Sequence, residues 1–230
     1  MTRLVIKDFK DFQQFLNDYS LTNSIANQDL VSLLKSFHKG YFAFLNLILE
    51  LDHRNIWPEE VANRFKESCS DMGQSLFLMC HGTYKPANLI LRSSIENFVK
   101  AIGFFVDPDI SKVKKIYEVF EIASGFNGCL ISDFESKFQE IHSDYGKLCD
   151  YTHTATKKEM SHISALNVLP HYNLEKTKEL CDIARRILKN YVLILIWSFR
   201  EDFFKITADG RENITHILSP SLIRKIHEGC

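Results

Sequence analysis

Residues 174–207 read LEKTKELCDIARRILKNYVLILIWSFREDFFKIT, and their periodicity decides the fold. Apolar side chains return every three or four positions, at Leu180, Ile183, Ile187, Tyr191, Ile194 and Leu195. That spacing stacks them on one face of an α-helix. The same ladder recurs upstream. Leu30, Leu33, Leu34, Phe37, Tyr41, Phe44, Leu45 and Ile48 trace the buried face of a helix from Asp29 to about Leu51. Pro58, followed by Glu59 and Glu60, opens another that runs to about Cys80, with Gly82 as its stop. Residues 86–106 form the next, ended by Asp107-Pro108-Asp109. A further amphipathic helix covers 110–123 and is closed by Gly125 and Gly128, and Ser132-Asp133 starts one that reaches about Tyr151. Leu4, Phe9, Phe12, Leu16 and Tyr19 fit a short helix over 3–19. Asp209-Gly210 closes the long stretch, and a short helix follows Ser219-Pro220. Residues 152–172, with Thr, Ser, His and one Pro, predict an irregular connection or lid.

The sum is an all-α fold, a helical bundle of seven to eight helices. No linker forces two domains, so residues 1–230 are expected to form one, with 1–52 as an N-terminal helical cap on a core of 58–207. Composition agrees. Hydrophobic residues make up 45% and charged residues 25%, and nine Gly and five Pro are few for a loop-rich β fold. Eighteen Phe supply bulky core material. A formal net charge of −1 argues against a general nucleic-acid coat, although a local basic patch is compatible with it. The six cysteines are scattered without a CxxC pair, and the N-terminus has no apolar signal core, so reduced thiols and a cytoplasmic location are expected. The longest apolar run, Tyr191 to Trp197, is far short of the ~20 residues a membrane-spanning helix needs.

Two segments depart from plain core helix. In the first, Asn88, Arg92, Glu96 and Lys100 lie four apart on an otherwise apolar helix. They form either a solvated face of ion pairs or the lining of a polar cavity. In the second, Tyr145-Gly-Lys-Leu-Cys-Asp-Tyr-Thr-His153, one helical face carries Tyr145, Cys149 and His153. Another carries Lys147 and Asp150, spaced for a pair. His153 falls near the helix C-terminus, where the dipole favours a cationic imidazole, so it suits a cap or packing role as well as catalysis. A zinc set from Cys149, His153, His162 and His171 matches no standard ligand spacing.

The segments LILRSSIENFVKAI and YGKLCDYTH together resemble the HEPN-type helical domains of prokaryotes. The likeness is to the subgroup with an R-x3-E helix followed by a Y-x-x-L-[S/C]-x-x-x-H helix, and it covers about residues 85–205. It implies a dimeric all-α bundle. It also implies a metal-independent endoribonuclease of toxin–antitoxin, abortive-infection or other antiviral defence systems, with an Arg-x4-6-His motif where two protomers meet. No cofactor is implied. Here the matching place holds Lys147-x5-His153, and lysine lacks the fork that grips phosphate in two places. A literal R-x4-H occurs at Arg211 to His216, outside that helix pair. On this likeness His153 is the base, Lys147 and Arg92 stabilise the phosphorane, and Tyr145, Glu96 and Asp150 contact an RNA substrate. The rival expectation is a catalytically inactive helical bundle that binds a protein partner as a regulatory or inhibitory subunit.

Overall fold

The computed structural model describes residues 28–130, 132–153 and 171–228, together with Gln14 and Asp18. Apart from those two residues the helix expected over 3–19 lies outside the described residues, as does most of the 152–172 connection. The described residues hold ten α-helices and one 3₁₀ turn, and no strand. The helices are α1 (Gln28–His53), α2 (Glu59–Cys80), α3 (Tyr84–Gly103), α4 (Ile116–Ala123), α5 (Asn127–Leu130), α6 (Ser132–His153), α7 (Leu174–Ser198), α8 (Arg200–Phe204), α9 (Ala208–Thr215) and α10 (Pro220–Glu228). Eight of them run seven residues or more. The fold is an all-α helical bundle.

α2 and α3 form a tightly packed hairpin, closed by three residues. Gly82 takes φ +69°, a left-handed conformation costly for any residue with a Cβ. A Cβ there would also fall against the backbone of His171, which cannot yield as a side-chain tip can. Thr83 Oγ1 donates to the Leu78 carbonyl at 2.6 Å and helps to close the end of α2. Gly82→Ala is therefore expected to cost about 1–3 kcal/mol, read as a lower urea midpoint with unchanged slope.

The core is centred on aromatic rings from four helices. Phe98 of α3 stacks on Tyr191 of α7 at 3.6 Å between centroids and 6° between planes. Phe44 of α1 lies 5.1 Å from Tyr191, and Phe65 of α2 lies 5.7 Å from Phe98. All four side chains are fully buried. α1 packs along α7 and α2, while α6 packs on α3 and α7.

Three boundaries differ from the periodicity. The 174–207 stretch breaks at Phe199 (φ −115°, ψ 38°). Its ring packs with Trp57, Phe105 and Phe126, at 5.5, 5.6 and 6.2 Å. Asp209-Gly210 opens a helix instead of closing one, because the Thr207 hydroxyl accepts from Gly210 N and caps α9. Residues 110–123 divide into a 3₁₀ turn (Pro108–Lys112) that seats buried Ile110, an extended Val113, and α4. Gly128 lies within α5, where a Cβ would meet the Ile194 carbonyl at 2.8 Å, so its missing side chain permits close contact with α7.

Candidate functional site between α3 and α6

Arg92 and Glu96 sit one turn apart on α3, and the same turn-to-turn spacing brings them together. Arg92 Nε donates to Glu96 Oε1 at 3.1 Å. Tyr145 reaches across from α6 and donates its O–H to the same oxygen at 2.8 Å. The Arg92 guanidinium lies 5.7 Å from the Tyr145 ring centroid, and Phe120 of α4 packs against that ring at 5.3 Å. One carboxylate thus gathers a cation and a phenol at the helix interface. The pair is partly buried, with side-chain exposures of 23% for Arg92 and 33% for Glu96, so it forms a polar seam and not a solvated face.

Burial, and then the Glu96 carboxylate, push the Tyr145 phenol well above its ordinary range. It therefore keeps its proton and acts as a donor. Partial burial works against the Arg92 charge, but Tyr145, Glu96 and Cys149 outweigh it and raise the guanidinium pKa. Cys149 lies one turn beyond Tyr145, as the common face of α6 predicts, and is half-buried.

Other expected site residues fall elsewhere. Asn88 is buried on α3, and Lys100 lies in the last turn of that helix. Lys147 points away from the seam and pairs at 3.2 Å with Asp144, not with Asp150. Asp150 is exposed. The side chain of His153 lies outside the described residues; only its place as the last residue of α6 is defined. His162 also lies outside them. Arg211 and His216 do not form a site together. Arg211 Nη1 donates to the Phe204 carbonyl at 2.9 Å and to that of Ile206, and His216 Nδ1 bonds the Asn213 carbonyl at 2.8 Å. Among the described residues, no group of three or more His, Cys, Asp or Glu is placed to hold a metal ion. Nor is any helix among them long and apolar enough to cross a membrane.

Two carboxylates were missed by reasoning from periodicity. Asp71 of α2, 4% exposed, accepts from Asn97 Nδ2 at 3.1 Å and extends the polar seam behind Glu96. Burial raises its pKa, partly offset by hydrogen bonds from Ser93 and Asn97. Asp144, 1% exposed, takes two hydrogen bonds from Arg186 of α7, at 2.7 and 2.6 Å. The Arg185-Arg186 pair on an apolar helix carried a signal for the second: adjacent residues point about 100° apart, so one of two arginines there turns inward.

Comparison with known proteins returns no relative: no family model, no curated protein and no solved structure matches the chain.

Proposed function

We propose that the chain is a HEPN-like helical protein of a bacterial or phage conflict system, acting in the cytoplasm on RNA as a metal-independent endoribonuclease. The observation that supports this most is the convergence of Arg92 and Tyr145 on Glu96, between the two helices that carry the family likeness. The cation of this reaction is Arg92, which lies beside the Tyr145 ring at the seam, whereas Lys147 pairs with Asp144. A guanidinium with a forked donor set suits a phosphate better than an ammonium does.

The reaction needs no external oxidant or metal. A base removes the proton of the RNA 2′-OH, the oxygen attacks the adjacent phosphorus, and the P–O5′ bond breaks. This leaves a 2′,3′-cyclic phosphate and a 5′-hydroxyl that takes up a proton. His153 is the base of this scheme, two turns beyond Tyr145 on the same helix. Arg92 stabilises charge developing on the phosphorane oxygens, and Tyr145 donates a hydrogen bond to one of them on leaving Glu96. A second protomer completes the site, as the family likeness implies.

The test is cleavage of single-stranded RNA by purified protein in excess EDTA, beside His153→Ala. Cleavage that persists in EDTA and is lost in the variant supports the proposal; equal cleavage by both proteins removes His153 from it. A second reading, a catalytically inactive bundle that serves as a regulatory or inhibitory subunit, is favoured by exposed apolar side chains on successive helices. Leu49 of α1, Phe77 of α2 and Leu89 of α3 are 51, 59 and 48% exposed. Absence of cleavage in the wild type favours that reading.

A further inference from the structure

A cleft of about 730 Å³ lies between α1, α6, α7 and the end of α9, lined on α6 by Lys137 and Glu140 and not by Tyr145. Its walls carry Lys39, Lys137, Arg185, Arg186, Lys189 and His216. Among the described residues only two carboxylates, Glu140 and Asp182, line the same space, so five permanent cations face two anions there in a chain whose overall formal charge is −1. The lining is therefore locally basic although the chain as a whole is not.

The cations divide by how they are held. Lys137 is paired with Glu140, and Arg185 with Asp182 at 3.6 Å. Glu140 is itself fixed by Asn190 Nδ2 at 2.9 Å, and Asn190 is 1% exposed, so this wall is anchored in the bundle. Arg186 is held from behind by buried Asp144 through Nε and Nη2, which fixes its guanidinium plane. Lys39 and Lys189 have no carboxylate partner among the described residues, and they stand on the facing helices α1 and α7. The His216 Nδ1 bond to the Asn213 carbonyl puts the ring proton on that nitrogen and leaves Nε2 for a ligand.

We infer that this cleft binds a small ligand bearing two or more phosphate groups, gripped between Lys39 and Lys189 over the fixed Arg186. Lysines on facing walls suit multiply charged anions, as mobile point charges that adjust to phosphate oxygens. The volume falls within the range of small-molecule sites, and the walls from four elements bound a compact ligand and not an extended strand. The site shares no residue with the Arg92–Glu96–Tyr145 seam, so it stands whether or not the chain cleaves RNA.

Titration calorimetry of the full chain at low ionic strength with pyrophosphate and with tripolyphosphate tests the assignment. Binding is expected in the wild type, and the Lys39→Ala/Lys189→Ala variant should weaken it at least roughly ten-fold by removing two charge-assisted contacts. Both lysines are partly or fully exposed, and an unchanged melting temperature shows that the variant remains folded. Lys114→Ala/Lys115→Ala, on a separate basic cluster, should bind as the wild type does. No heat in the wild type, or equal affinity in the Lys39/Lys189 variant, overturns the inference. So does binding of single-stranded RNA at these lysines with which tripolyphosphate fails to compete.

Discussion

Phe98→Ala is expected to lower the unfolding free energy by about 4 kcal/mol, the largest single effect among side chains of the core. Phe98 is fully buried and touches rings from three other helices: it stacks on Tyr191 at 3.6 Å, and Phe65 and Phe44 lie 5.7 and 6.2 Å away. Truncation removes the transfer energy of the ring and leaves a cavity that cannot collapse without moving α1, α2 and α7 together. The loss should register as a fall in urea midpoint with the slope retained. Phe98→Leu should cost far less, about 1–2 kcal/mol, because it keeps most of the volume. A loss under about 1 kcal/mol for the alanine variant would mean that the four helices do not meet at this ring.

Arg186→Met is expected to cost about 3 kcal/mol, near the low end for a broken buried ion pair. The carboxylate it abandons, on Asp144, is 1% exposed and would keep, among the described residues, only Lys147, whose own side chain is 54% exposed. The low end is chosen because Arg186 is 36% exposed and starts with part of its hydration. Lys147→Met, by contrast, removes a largely solvated partner and should cost less than about 1 kcal/mol. The decisive comparison is Asp144→Leu combined with Arg186→Met. It should recover most of the stability lost in Arg186→Met alone, because the uncompensated charge is gone. Chemical denaturation of the three variants measures this. No recovery would show that Asp144 acts through contacts other than its charge.

The helices were legible wherever burial follows a 3.6-residue period. Phe37, Phe44 and Ile48 on α1, and Leu180, Ile187 and Tyr191 on α7, are buried as their spacing predicts. Boundaries set by long-range packing were not legible. Phe199 fits the local helical pattern, yet its ring meets Trp57, Phe105 and Phe126, which are far away in the chain. Asp209-Gly210 has the composition of a stop, but Thr207 two residues earlier turns it into a capped start.

The candidate site was legible in part for the same reason. Arg92 and Glu96 are one turn apart on a single helix, and Tyr145 shares a helical face with Cys149, so local periodicity puts each on the correct side. Lys147 is two residues from Tyr145, about 200° around α6, which turns it toward α7. There it pairs with Asp144 three residues earlier, and what no local spacing reveals is that Arg186, 42 residues along the chain, holds Asp144 in a buried place. α6 thus presents a phenol to α3 from one face and an anchored carboxylate to α7 from another.

The most direct test of the proposed function asks which face of α6 carries the chemistry. RNA cleavage in excess EDTA is compared for the wild type, Arg92→Ala and Lys147→Ala, each first shown to be folded by its thermal unfolding. Loss of at least roughly 100-fold in rate for Arg92→Ala, with near wild-type cleavage by Lys147→Ala, is the predicted result. Full activity in Arg92→Ala together with loss in Lys147→Ala would contradict it and move the site to the α7 side of α6.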